Sequence, residues 1–354
     1  MNFFYTLSAQ PELGYALLTE LLSEPANMPQ FMLRYDLRQP DFCTATGAEL
    51  YQAAIDQCAW GEQNGFIAAH LSEHHGSSDG YCPAPLLLAS AVAARTKTLM
   101  LYIAALIAPL HDPVRLAEQL AVLDIISRGR VLPIISAGYR AEEFEAVGRS
   151  LSERKQYMDM IGPFLGKAWT GEAFEHQGRT ITVTPRPHSK PRPPILMGGS
   201  SRAAARRAAR DGDYFIPSGQ EIFEMYRQEL AILGKPDPGP MPPSATAVVF
   251  VAEDPQQYWQ QIAPHLLHET NMYAQWAATA GTHSPYRHCD TVEELRNSGS
   301  YEVYSPAQMI EAASDMAANE PMLFHPLCGG IHPDLAWQSL HLFADQVLPA
   351  LSDS

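Results

Sequence analysis

The sequence has little of what a membrane or nucleic-acid protein needs. Its longest apolar run free of charge, Thr98 to Leu110, is too short to cross a bilayer, and the first thirty residues lack the basic start of a secretory signal. Positive charge is scarce. Lys and Arg number 24 against 39 Asp and Glu, and the formal net charge of −15 opposes contact with polyanions such as nucleic acid or anionic lipid. Cysteine is sparse too: Cys43, Cys58, Cys82, Cys289 and Cys328 are odd in number, widely spread and without a C-x-x-C pair, so neither a disulfide framework nor a zinc knuckle is expected. These absences leave a cytoplasmic enzyme with reduced thiols, acting on a small molecule.

What is present is rhythm. A chain of 354 residues with 46% hydrophobic content can bury one large core. "FMLRYDLR", "FIAAHLSE", "TLMLYIAALIAP", "GRVLPIISAG", "PILMGGSS", "YFIPSG", "ATAVVFVAE" and "PMLFHP" read as eight strands, each followed by a helical pattern. The continuous apolar character of the third suggests burial on both faces, as in a parallel sheet. In "GAELYQAAIDQCAWGEQNG", Leu50, Tyr51, Ala54, Ile55 and Cys58 recur on one helical face, and Asp112 and Pro113 look like the cap and first position of "PVRLAEQLAVLDIIS". Strict alternation is the pattern of an α/β fold, a (β/α)₈ TIM barrel, over residues 31–354 with residues 1–30 as an N-terminal extension. Two irregular stretches, residues 171–194 and 281–300, are expected as loop insertions covering the C-terminal mouth.

Barrel chemistry sits at the C-terminal ends of strands. Glu73, His74 and His75 follow the second strand directly, where an imidazole can exchange protons near neutral pH. Adjacent histidines also commonly cap a strand or satisfy a carbonyl. As neighbours on an extended segment they point to opposite faces and poorly share one metal ion. In "ILMGGSSRAAARRAARDGD", Gly198 and Gly199 allow a tight turn, and Ser200 and Ser201 place hydroxyls beside the free N–H groups of a helix start. That is a natural anion cradle, or else a glycine turn with an ordinary serine cap.

"GFIAAHLSEHH", "IAALIAPLHDPVRLAEQLAVLDIISRGR" and "GGSSRAAARRAARDGD", in this order and spacing, resemble the bacterial luciferase-like flavin-dependent monooxygenases and oxidoreductases. The resemblance covers about residues 31–216 and resumes at "PMLFHPLCGG" and "FADQVLPAL". It implies a (β/α)₈ barrel that binds reduced FMN, or in a related branch the deazaflavin coenzyme, and that is usually a homodimer. By the same resemblance His74 lies by the reactive edge of the flavin, while Ala104 and Ala105 occupy the place of a non-proline cis peptide against the ring. Ser136 and Gly138 stand at the strand end that approaches the flavin, Arg154 reaches the phosphate, and Gly198, Gly199, Ser200 and Ser201 form the phosphate turn. Ala137 departs from luciferase, which has a second phosphate-binding arginine there. No NAD(P)H fingerprint is visible, so the resemblance implies a two-component system in which a separate NAD(P)H-dependent flavin reductase supplies reduced FMN, and oxygen and a small organic substrate meet in a water-excluding site.

Three rival readings remain beside this one. A deazaflavin-dependent hydride-transfer oxidoreductase fits the same barrel. A flavin-binding protein without turnover is opposed by the intact E-H-H and phosphate turn. A metal-dependent hydrolase is opposed by "RYDLR" where such barrels present H-x-H, and by the lack of Lys or His at later strand ends; no metal ligand is assigned. His265 and His268 are at helical spacing, and solvated helix histidines are the commoner explanation.

Overall fold

The computed structural model describes residues 29–282, 284–316 and 320–352 of the chain. The expected extension, residues 1–30, lies outside them except at its end, where Gln30 already opens the first strand. The strands are β1 (Gln30–Tyr35), β2 (Ala68–Leu71), β3 (Met100–Ile107), β4 (Val131–Ser136), β5 (Phe174–His176), β6 (Arg179–Ile181), β7 (Leu196–Gly199), β8 (Tyr214–Pro217), β9 (Val248–Val251), β10 (Tyr301–Tyr304) and β11 (Pro321–Phe324). All eight expected strands are among them.

The chain packs as two compact units. One holds Leu101–Gly138 and Phe144–Pro242, and the other holds residues 29–100, Tyr139–Glu143 and residues 243–352. In the first, the parallel order is β3-β4-β7-β8, with Ile134 opposite Leu196 and Gly198 opposite Ile216. In the second it is β10-β9-β11-β1-β2, with Leu33 between Phe324 and Ala69. Parallel neighbours need a crossover, and helices supply it: Gly47–Gln63 between β1 and β2, Arg202–Asp211 between β7 and β8.

The helix starts follow from their sequences. Thr46 and Glu49 form a reciprocal capping box. Asp112 accepts from the N–H groups of Val114 and Arg115, each at 3.0 Å, just before Pro113. The second unit buries an aromatic cluster in which the rings of Phe31, Phe66, Phe324 and Phe343 lie 4.8–6.3 Å apart. No helix of the described residues is long and apolar enough to cross a membrane.

Three expectations change. Residues 171–194 are not wholly irregular: β5 and β6 pair antiparallel around Gln177 and Gly178, both at positive φ, the geometry of a two-residue hairpin. Residues 281–300 contain the helix Val292–Asn297, capped by Thr291, and Cys289 is tied to Asn271 by hydrogen bonds in both directions. The buried face of Gly47–Gln63 is turned from the expected one, since Ala53 and Gln57 are buried while Tyr51 and Ile55 are only partly so. β10 is an additional parallel strand at the edge beside β9.

Candidate active site

In the first unit the strand ends are built from small residues. The Ala104–Ala105 peptide is cis, and the register between β3 and β4 shifts there, from Ala104 opposite Ile134 to Leu106 opposite Ile135. Ala105 is the extra residue of this bulge. Ser136 ends β4, and Gly138 follows at φ +69°, where a Cβ would lie 2.6 Å from the Ile107 methyl carbon and 3.2 Å from the Phe144 ring. Gly198 faces Ser136 across the paired strands. A Cβ there would collide with the Ser136 hydroxyl and stand 2.9 Å from Ile134. Gly199 is pressed against Ala204 in the same way. Glycine is therefore required at these points by close approach of other atoms.

Ser200 and Ser201 are exposed, and Ser201 Oγ accepts from the Ala204 N–H at 3.2 Å, capping Arg202–Asp211. The first amides of that helix are left for another acceptor. Arg154 opens the helix Arg154–Ala168, and its Nη1 donates to the Gly138 carbonyl at 3.0 Å. It also lines a cavity of about 600 Å³ with Arg149, Tyr157, Gln177 and Arg179, which the Gly198–Ser201 turn does not line. Ser136, Gly138 and Gly198 are thus brought together, with Arg154 tied to them through Gly138. Among the described residues no hydrogen bond joins Arg154 to Ser200 or Ser201.

In the second unit His74 is buried, 8% exposed, and walled by rings: Trp276 at 4.7 Å between centroids, Tyr81 at 4.9 Å, Tyr139 at 5.8 Å and Tyr273 at 6.1 Å. Its Nδ1 lies 2.7 Å from Glu143 Oε1. The same oxygen accepts from the His75 backbone N–H at 2.9 Å and from Arg140 Nη1 at 3.2 Å. Arg140 also donates to the His75 carbonyl, at 3.1 Å, and its guanidinium sits 4.1 Å over the Trp276 ring. Burial pushes the His74 pKa below its ordinary value, partly offset by Glu143. His75 behaves oppositely: its Nε2 meets Glu73 Oε1 at 3.0 Å, and this contact raises its pKa. The two adjacent histidines thus have separate carboxylate partners.

A third group shows in the sequence only as the charges of "RYDLR", Arg34, Asp36 and Arg38, which could serve either cofactor or merely form surface pairs; the structure buries Asp36 and Arg38 fully and Arg34 mostly. Arg34, Asp36 and Arg38, at the end of β1, are joined by Asp79, Glu269 and His325 in a buried ionic network. Arg34 pairs with Glu269 at 2.9 Å and donates to the hydroxyls of Tyr286 and Tyr273. His325 lies between Asp36, at 3.3 Å, and Glu269, at 3.6 Å. Burial alone would raise the Asp36 pKa, but His325, Arg38 and Arg34 outweigh it and hold the carboxyl well below the usual range. The expectation that no histidine stands at a later strand end is corrected by His325, which directly follows β11.

Glu269, His325 and Cys328 offer ligand atoms within 4.8 Å of one another. Glu269 is nevertheless already occupied, since Tyr301 and Cys328 both donate to Oε2 at 2.7 Å and Arg34 pairs with Oε1. Burial and then Glu269 push the Cys328 thiol well above its ordinary pKa, away from the thiolate that a metal would require. The helix histidines are engaged elsewhere, His265 with the Gly329 carbonyl and His268 with Asp79.

Glu143, Arg140, Tyr273 and Trp276 carried no motif in the sequence. The signal that could have flagged the first two is "YRAEEF", an acidic helix start directly after the fourth strand.

Residues 38–318 match the luciferase-like monooxygenase family. The oxygenase component of a flavin-dependent trigonelline monooxygenase from Acinetobacter baylyi is 29% identical over 175 residues, 47% of this chain and 48% of that protein. An FMNH₂-dependent dimethylsulfone monooxygenase from Pseudomonas putida is 31% identical over 143 residues, 38% of this chain and 39% of that protein. The matched stretches thus cover about half or less of these curated relatives. The oxygenating constituent of 3,6-diketocamphane monooxygenase from Pseudomonas putida, solved with FMN, shares the fold at a TM-score of 0.63 and 19% identity over 91% of this chain and 98% of that one. An F420-dependent secondary alcohol dehydrogenase shares it at a TM-score of 0.61 and 15% identity, over 91% and 98%. The fold is the expected α/β barrel, and the chain, an oxidoreductase by its family and relatives, belongs to the luciferase-like monooxygenase family.

Proposed function

We propose that this protein is the oxygenase component of a two-component monooxygenase that uses reduced FMN and molecular oxygen to oxygenate a small organic substrate. A separate NAD(P)H-dependent flavin reductase would supply the flavin. The observation that carries the reading is the family match over residues 38–318, together with relatives named for FMNH₂ and for an oxygenase component. Reduced FMN, when bound, supplies two electrons to oxygen, so that one oxygen atom enters the substrate and the other leaves as water.

The chain's own residues fit such a group. Gly138 and Gly198 are closely packed by Ile107, Phe144, Ser136 and Ile134, so no side chain projects from these two positions toward a ring system, and Ala104, Ala105 and Ser136 add little bulk beside them. The start of Arg202–Asp211, with Gly199, Ser200 and Ser201, offers N–H and hydroxyl donors to a phosphate. Arg154 is the cation assigned to the same phosphate. His74, in an aromatic and dehydrated setting, holds or moves a proton for the oxygen chemistry. The unpaired thiols of all five cysteines suit the cytoplasm as its setting. The half-exposed Val122, Ile125 and Ile126 on Pro113–Ser127 give an apolar stripe for a homodimer.

A second reading, hydride transfer with a deazaflavin coenzyme, is favoured by one feature: Ala137 leaves the fourth strand end without the second phosphate-binding arginine. Arg154 tests the FMN reading. A charge-assisted contact contributes on the order of 1.5–3 kcal/mol. Arg154→Ala should therefore weaken FMN binding about tenfold or more in a fluorescence titration and leave riboflavin binding nearly unchanged. Equal losses for both ligands would remove the arginine from the phosphate.

A further inference from the structure

Most groups around His74 are aromatic, and one is a buried carboxylate. Glu143 is 1% exposed, and its Oε1 gathers three contacts: His74 Nδ1 at 2.7 Å, the His75 amide at 2.9 Å and Arg140 Nη1 at 3.2 Å. An amide and a guanidinium can only donate, so this oxygen is an acceptor. The short contact to the imidazole then requires the proton to be on Nδ1.

We propose that Glu143 is the positioning residue of His74: its carboxylate takes the Nδ1–H, fixes the ring plane and tautomer, and leaves Nε2 as the atom that accepts or returns a proton. The inference deepens the proposed function and rests on it only in giving His74 a proton to move.

Three observations separate this role from a loop tie. First, Glu143 reaches His74 and the His75 amide together, so it fixes both the ring and the backbone that carries it. Second, His75 has its own carboxylate, Glu73, and cannot share the task. Third, Arg140 is held on three sides, by Glu143, by the His75 carbonyl and by the Trp276 ring, so the acceptor is itself immobilised. A histidine held through one nitrogen by a buried carboxylate presents the other nitrogen in a single protonation state, and the wrong tautomer disables it although the geometry survives.

The charged and titratable groups facing His74 are few. Glu143 and Arg140 come from the segment after β4, Arg38 from the segment after β1, Tyr81 from the segment after β2, Tyr139 from beside Arg140, and Tyr273 from the helix Pro255–Ala280. Glu143 is the only carboxylate among them, so its removal takes away the one negative charge that favours the imidazolium, while the cations and the burial that oppose it remain.

The test needs no substrate. Histidine ¹⁵N–¹H correlation spectra of the intact protein, with His74 assigned by its loss in His74→Asn, report the tautomer and its titration. In the parent protein the Nδ1–H form should dominate at neutral pH. In Glu143→Leu the population should move toward the Nε2–H form that free imidazole prefers. In Glu143→Gln, whose amide oxygen can still accept, Nδ1–H should persist while the His74 titration shifts to lower pH. A dominant Nε2–H form in the parent, or a tautomer indifferent to Glu143→Leu, would overturn the proposal. With His74 so assigned, the parent spectrum decides even if a Glu143 variant fails to fold. Full product formation by His74→Ala, by contrast, would remove the catalytic reading and leave the Glu143 contact standing.

Discussion

Around Gly138, Gly198 and Gly199 the chain has stripped side chains away, whereas around Arg34, Asp36 and Glu269 it has crowded charged ones into the interior. Both regions sit at the carboxyl ends of parallel strands, yet they are sensitive to opposite changes. The first depends on close approach of neighbouring atoms to bare backbone, so it is damaged by adding atoms. The second depends on every charge meeting an opposite one, so it is damaged by removing them. A region built of small residues lets neighbouring strands and helices approach one another closely. A region of matched charges ties together segments that are distant in the sequence.

The largest effect should come from the charged region. Glu269→Ala would leave Arg34 without its buried partner and His325 with one carboxylate instead of two. Breaking a buried pair by deleting one partner costs about 3–5 kcal/mol. Denaturant unfolding should show a loss of that order, and a change below about 1 kcal/mol would mean that the network is a bystander.

Acid should reveal the same contrast. Asp36, Asp79 and Glu269 are all held below the usual carboxyl range by their cationic neighbours, against the opposing effect of burial. Groups with depressed folded-state pKa values add stability that is complete above their unfolded values, about pH 4, and that is lost as pH falls through the folded ones. Unfolding free energy measured from pH 7 downward should fall below about pH 4, and Glu269→Gln should flatten that fall. A Gly198 variant should leave the acid limb unchanged.

Adding one methyl group to the small-residue region should matter next. In Gly198→Ala the new Cβ meets the Ser136 hydroxyl and stands 2.9 Å from Ile134, an overpacking that costs typically about 1–3 kcal/mol. Flavin affinity should drop with it. If Gly198→Ala is silent in both unfolding and flavin titration, the small residues are not there to make room.

The smallest effect should be Ser201→Ala, which removes the N-cap of Arg202–Asp211 and costs about 1 kcal/mol of stability. On the proposed function it should also weaken FMN more than riboflavin. A purely structural cap would change stability alone.

The two regions also differed in how far the sequence disclosed them. "MGGSSRAAARRAARDGD" carries its meaning within one contiguous strand, turn and helix, so the cap at Ser201 and the close approach at Gly198 follow from local rules. The eight alternating strands were legible for the same reason. The charged network was not, because Arg34 finds Glu269 on the helix Pro255–Ala280 and Asp36 finds His325 after β11, pairings that no local pattern encodes. Glu143 was missed likewise, being 69 residues from His74. β10 escaped because "YEVY" is four residues with alternating burial, too short to stand out from its flanking polar segment. The hairpin of β5 and β6 does carry a signal in Gln177 and Gly178, masked by the Pro and Arg around it.

The central claim is that this barrel receives reduced FMN, and it is most directly tested by anaerobic absorbance titration of the intact protein with reduced FMN, oxidised FMN and the deazaflavin coenzyme. The account predicts saturable binding of reduced FMN, tighter than that of either alternative and weakened by Arg154→Ala. Saturable binding of the deazaflavin coenzyme, with no change on adding FMN in either redox state, would contradict it and transfer the barrel to hydride chemistry.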